Sequence, residues 1–298
     1  MKVCGKEISI RGRLVRIARV AAEGFEFVED PPAMLKAVGD CGTRIDLFTF
    51  MQRLPYLSPL YDYPMEWDNV AGLPISTFDH WWNKQIDGKT RNMVRRAEKK
   101  GLTVRETPFD DSLVHGIWRI YNECPIRQGR HFPHYGKDLE AVRRMSATFL
   151  EDSVFIGAYR DEQLIGFMKL TSDSARSQAA VMHILSMVEH QDKAPANALI
   201  AQAVRSCAQR QLPFLVYSSY TYGNKQRDSL TNSKDNNGFQ RLDLPRYYVP
   251  LTSLGHLAFR LGGHHSLQDQ VPEGILSRFR DLRSAWYRHR LQTHSAAH

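Results

Sequence analysis

A histidine can take and return a proton near neutral pH. One sits inside an apolar run, Val181-Met182-His183-Ile184-Leu185. Further along, Tyr220, Tyr222 and Lys234 are groups that can donate a proton or steady an oxyanion. The stretch 127–135 gathers Arg127, Arg130, His131, His134 and Tyr135, a set that suits an anionic ligand. Residues 89–100 carry Lys89, Arg91, Arg95, Arg96, Lys99 and Lys100 against one acid, Glu98. Arg91 and Arg95 are four apart and share a helical face, so their guanidinium groups can clamp a phosphate. Each feature also has a plainer reading: a hydrogen-bonded core histidine, tyrosine rings packed at a sheet end, a solvated basic face.

Metal chemistry is not expected. His131 and His134 have no evident third ligand, and neither does the pair His264-His265. Cys4, Cys41, Cys124 and Cys207 are far apart and form no CxxC, which argues against structural zinc and fits a reducing compartment. The formal charge of +8 on 298 residues fits either an anionic partner or simple solubility. The N-terminus has no apolar core of signal-peptide type, and no run reaches membrane-spanning length. The expected location is cytoplasmic, with contact to a membrane surface left open.

The elements that must position these groups can be read from periodicity. Residues 8–20 alternate as one half-buried strand, 25–28 reads as a short strand, and Pro31-Pro32 can open a helix. Residues 45–51 and 65–75 read as strands. Ser76-Thr77-Phe78-Asp79 resembles a capping box before a helix that Gly88 interrupts and Gly101 ends. From Leu102 the order is strand, two helices (110–122 and 138–150), three strands, helix, strand, helix, strand. Residues 160–163 suggest a hairpin turn between the first two of the three strands. That order predicts an antiparallel meander and a parallel crossover in one mixed sheet. Three parts follow: a strand-rich unit over 1–101 ending in the basic helix, a catalytic domain over 102–250, and a basic helical tail over 251–298, with Arg278, Arg280, Arg283, Arg288 and Arg290.

This order resembles the GNAT acetyltransferase fold. Phe155-Ile156-Gly157-Ala158-Tyr159 and Leu164-Ile165-Gly166-Phe167 look like its central hairpin. Gln191-Asp192-Lys193-Ala194-Pro195-Ala196 stands where the family has Gln/Arg-x-x-Gly-x-Gly/Ala. Residues 89–101 resemble the K-x-R-x-x-x-R-x-A-x-K-x-G helix of Fem-type aminoacyltransferases, which build peptidoglycan cross-bridges from paired GNAT-like units. Ser233-Lys234-Asp235-Asn236-Asn237-Gly238-Phe239 resembles their F-K-x-x-F-G turn.

The resemblance implies an α/β (α+β) fold: a GNAT-like mixed sheet with helices on both faces, preceded by a reduced or divergent GNAT-like N-terminal unit. It implies acyl transfer from acyl-CoA, acetyl-CoA above all, to an amine or hydroxyl of an anionic, sugar or peptide acceptor. Met187, Val188, Gln191, Lys193, Ala194, Ala196 and Asn197 would hold the cofactor at a helix N-terminus. Ala194 replaces a glycine there and Pro195 removes a donor, with Lys193 and Asn197 to compensate. His183, Tyr222 and Lys234 would be catalytic. Arg91, Arg95, Arg127, His131, His134 and Tyr220 would bind substrate. Two alternatives remain: aminoacyl-tRNA or an acyl carrier protein as donor, and a non-catalytic module for anionic ligands or membrane surfaces.

Overall fold

A computed structural model describes residues 1–127, 129–221 and 229–265. In chain order the elements are β1 (Lys2–Val3), β2 (Lys6–Arg11), β3 (Ile17–Val20), α1 (Pro31–Gly39), β4 (Leu47–Met51), β5 (Met65–Pro74), α2 (Phe78–His80), a π-helical turn (Trp81–Gln85) and α3 (Gly88–Lys99). There follow β6 (Thr103–Thr107), α4 (Asp111–Tyr121), β7 (Ile126–Arg127), β8 (Arg130–His131), α5 (Leu139–Ser146), β9 (Ser153–Arg160), β10 (Gln163–Ser172) and β11 (Ala179–Ser186). The last are a 3-10 turn (Val188–Lys193), α6 (Pro195–Gln209), β12 (Phe214–Val216), α7 (Ser229–Asn236), β13 (Gln240–Pro250) and α8 (Ser253–Arg260). No helix among the described residues is long and apolar enough to cross a membrane.

The chain forms two compact units, neither continuous in sequence. The first comprises Met1–Thr77, Thr171–Val181 and the described residues from Cys207 onward. Its strands run β1-β2-β3-β4-β13-β5-β12, and the first residues of β11 pair parallel with β12. β3 and β4 are parallel, and β13 pairs antiparallel with both β4 and β5. The sheet is therefore mixed, with the late strand inserted between two early ones. Phe48, Phe50 and Tyr247 lie at its centre with Met34 and Val38 of α1. The Tyr247 hydroxyl donates to Gln52 Oε1 (2.7 Å) and accepts from Leu60 N (2.8 Å), so this buried polar group is satisfied.

The second unit comprises Phe78–Leu170 and Met182–Ser206. β6 pairs antiparallel with β9, and β10 follows β9 through the two-residue turn Asp161-Glu162, both at positive φ. Leu113, Val114, Ile117 and Ile120 form the buried face of α4. Gly166 is needed where β10 meets β11: a Cβ there would stand 3.1 Å from Ser186 Cβ and 3.3 Å from Leu185 O.

Several expectations change. The single strand over 8–20 is a hairpin, β2 and β3, because Gly12 turns at φ +90° and a Cβ there would meet Val15 O at 2.0 Å. Residues 25–28 are an irregular segment that buries Phe25, Phe27 and Val28. Gly88 opens a helix instead of interrupting one, because the Asp87 carboxylate caps it by accepting from Thr90 N at 2.7 Å. α5 ends at Ser146, short of 150, and the stretch 127–135 includes the end of β7 and all of β8, which pair antiparallel.

Candidate active site

β11 presents His183 half-buried within the second unit. Its ring lies edge-on to His134, with centroids 6.2 Å apart at 83°. His134 stacks on Tyr121 at 4.5 Å, and Tyr121 lies against Phe167 of β10. Burial, then proximity to His134 and to the Lys169 ammonium, pulls the His183 pKa down to about 4. Burial, then Lys137, lowers His134 as well. Burial pushes the Tyr121 phenol up to about 12. Both imidazoles are therefore neutral at pH 7, and each keeps a lone pair that can accept a proton.

The loop that carries His134 is fixed by the end of α4. Asn122 accepts from Gly136 N at 2.8 Å, and Trp118 Nε1 donates to Lys137 O at 3.0 Å. Arg127 braces the same corner. It donates to Ser186 O (2.6 Å), Ile120 O (2.7 Å) and Glu123 Oε2 (2.9 Å), and its guanidinium lies over Phe132 at 4.8 Å. Three of the groups expected from sequence thus meet here, but Arg127 is committed to the scaffold. His131 is exposed on β8.

Lys169 is a charge acting on His183 that the sequence reading missed. It is fully buried on β10 and donates to Ser146 O (3.0 Å), to Thr148 O and to Thr148 Oγ1 (3.2 Å). An ammonium group at the C-terminal end of α5 meets unsatisfied carbonyls and the negative end of the helix dipole. Burial still lowers its pKa to about 8. Its signal was present: one charge in the otherwise apolar run 164–170.

The turn after β11 holds the expected cofactor residues. Met187 is buried and Val188 exposed; Ala194 takes left-handed angles (φ 55°, ψ 43°) just before α6, with Ala196 exposed and Asn197 half-buried. The Ala194 amide donates to Gln191 O at 3.1 Å. Glu123, at the end of α4, accepts from Val188 N at 2.8 Å and from Glu189 N at 3.0 Å. A carboxylate thus already occupies amides of the kind a pyrophosphate would use. Lys193 and Lys100 both bond Asp192, at 3.1 and 2.5 Å, and hold its carboxyl down at about 2. Nothing in the sequence marks Glu123 for this role.

The basic helix divides its work. Arg91 donates to Trp82 O (2.8 Å) and Ile86 O (2.7 Å), closing the π-helical turn. Arg95 is exposed and lies over Trp82 at 5.5 Å. With Phe78, Leu102, Ala198 and Arg205 these two residues line a cleft of about 220 Å³. Arg205 lies over Phe78 at 4.3 Å.

Two expected residues belong to the first unit. Lys234 on α7 is buried, donates to Ser219 O at 2.5 Å and lies over Tyr217 at 5.1 Å. The Tyr220 hydroxyl donates to the Asp235 carboxylate. Tyr222 lies outside the described residues.

No protein-family profile matches the chain, and no curated protein sequence does. Solved structures do. FemX matches at TM-score 0.58 with 12% identity, over 86% of this chain and 86% of that one. The C-terminal domain of a protein described as a putative lysylphosphatidylglycerol synthetase, from Agrobacterium fabrum, matches at 0.56 with 13% identity, over 85% and 82%. L-PGS from Bacillus licheniformis matches at 0.53 with 15% identity, over 87% and 86%. At these identities the likeness is one of fold. The fold is GNAT-like, and a Fem-type protein is among its structural relatives.

Proposed function

We propose that the chain is an acyltransferase that moves an acyl or aminoacyl group to an amine or hydroxyl by direct attack, with donor and acceptor bound together. The observation that carries this reading is His183, a neutral, half-buried imidazole on the strand where the GNAT resemblance puts the proton acceptor. The acceptor heteroatom bonds to the acyl carbon while its proton passes to the imidazole. The bond from that carbon to the donor oxygen or sulfur then breaks, and the proton returns to the leaving atom. With a pKa near 4 the imidazole is a weak base but the imidazolium is a strong acid, so the second transfer gains most. Holding both substrates in line supplies much of the remaining acceleration.

Ala194 and Pro195 in the expected phosphate loop favour a donor other than coenzyme A, and the Glu123 carboxylate already takes up the neighbouring Val188 and Glu189 amides. Aminoacyl-tRNA or a carrier-protein thioester needs no pyrophosphate held there. The exposed Arg95, stacked on Trp82 beside the cleft, suits the phosphates and bases of a nucleic-acid end. The name lysylphosphatidylglycerol synthetase describes an aminoacyl group carried on a lipid, so phosphatidylglycerol joins amines and peptides in the acceptor panel.

The test is a single-turnover transfer assay with radiolabelled aminoacyl-tRNA, an acyl carrier thioester and acetyl-CoA, each against that panel. Transfer from aminoacyl-tRNA or carrier thioester, lost in His183→Ala, is the expected result. Turnover with acetyl-CoA alone would replace the donor assignment. No transfer from any donor, with no thermal shift, would remove the enzyme reading.

A further inference from the structure

Glu66 of β5 and the adjacent His264 and His265, which follow α8, converge within the first unit although Glu66 and His264 are 198 positions apart. We propose that these three residues bind a divalent transition metal of the zinc class. Their ligand atoms all lie within 4.8 Å of one another. His264 Nε2 stands 2.8 Å from Glu66 Oε1, and His265 Nε2 stands 3.4 Å from the same oxygen. The second approach is too long for a good hydrogen bond, yet both rings bring the same nitrogen, Nε2, beside one carboxylate oxygen. Bonds of about 2.0–2.1 Å around a tetrahedral ion leave neighbouring ligand atoms about 3.3 Å apart. The His265 distance already has that value, and the His264 distance needs to open by about half an ångström.

The surroundings leave the carboxylate free for this role. Arg246 on β13 stands directly opposite Glu66, but it bonds Asp68 (2.8 Å) and Glu23 (2.8 and 3.2 Å) instead. The His264 side chain is 2% exposed and wedged between the rings of Tyr248 and Phe259, each 4.7 Å away. Packing thus sets its aim in advance. His265 is partly exposed, at 41%, which leaves room for solvent as a fourth ligand. Two imidazoles and one carboxylate form a donor set suited to zinc, cobalt or nickel. A bound ion would tie the segment after α8 to the sheet.

Chelator-treated full-length protein titrated with cobalt(II) tests this. One equivalent should bind, with the visible bands of a four- or five-coordinate ion, and zinc should displace it and raise the Tm. His265→Ala and Glu66→Gln, which alter partly exposed side chains, should each weaken binding on the order of tenfold or more and abolish the Tm rise. Absence of cobalt uptake would overturn the proposal. So would uptake unchanged in both variants, since the ion would then sit on other histidines.

Discussion

Two pairs of histidines divide the chemistry of this chain. In one unit His134 and His183 face each other among aromatic rings, with a buried lysine nearby and no acid among the groups that set their charge. In the other, His264 and His265 share one carboxylate. The same side chain is a free lone pair in the first setting and a ligand beside an anion in the second. Burial alone does not decide between them, since the His264 side chain is 2% exposed and His183 is half-buried. The neighbouring charge does.

Substitutions should separate the pairs. The largest effect expected is on turnover: His183→Ala should lower kcat by about 10²–10⁴-fold once a donor is found, as loss of a general acid–base group does. An unchanged kcat would assign the neutral imidazole to packing alone.

Next comes the dependence of stability on pH. The unfolded chain protonates His183 near its ordinary value of 6.5, while the folded chain resists until about 4. Between those values the unfolded state binds more protons, so stability falls as pH falls. The loss should reach about 3 kcal/mol by pH 4 and be absent above about 6.5. Urea melts across that window should show a flatter profile for His183→Gln. An identical profile would mean that the imidazole is as easily protonated in the fold as outside it.

A smaller effect is expected at the turn. Glu123→Gln weakens three charge-assisted bonds, those from Val188 N, Glu189 N and Arg127, and should cost about 1.5–3 kcal/mol in a denaturant melt. The same variant should bind acetyl-CoA better than the parent if the carboxylate is what holds a pyrophosphate off. The smallest effect belongs to the second pair. Without metal, His265→Ala should change stability by less than about 0.5 kcal/mol, because the ring is exposed.

Local pattern made much of this legible. The strand and helix order from Leu102, the 160–163 turn and the run around His183 all follow from periodicity and turn chemistry. What stayed hidden was non-local. No spacing announces that Glu123 will cap amides 65 and 66 residues later, or that Glu66 waits for His264. Gly88 misled for a local reason: a glycine reads as a breaker unless the preceding Asp87 is recognised as the cap. Arg127 and Arg91 looked like ligand-binding cations because a sequence does not show which carbonyl groups will need a donor.

The insertion of β13 between β4 and β5 bears on how the protein is made. A ribosome delivers β4 and β5 long before β13, at roughly 5–20 residues per second, so those two strands wait on the order of ten to thirty seconds for their shared partner. Through that interval each exposes an unpaired backbone edge, and Leu47-Phe48-Thr49-Phe50-Met51 is an apolar edge prone to pairing with another nascent chain. Fragments that stop before residue 240 should therefore need a chaperone or aggregate, and the yield of soluble protein should depend on translation speed between residues 75 and 240.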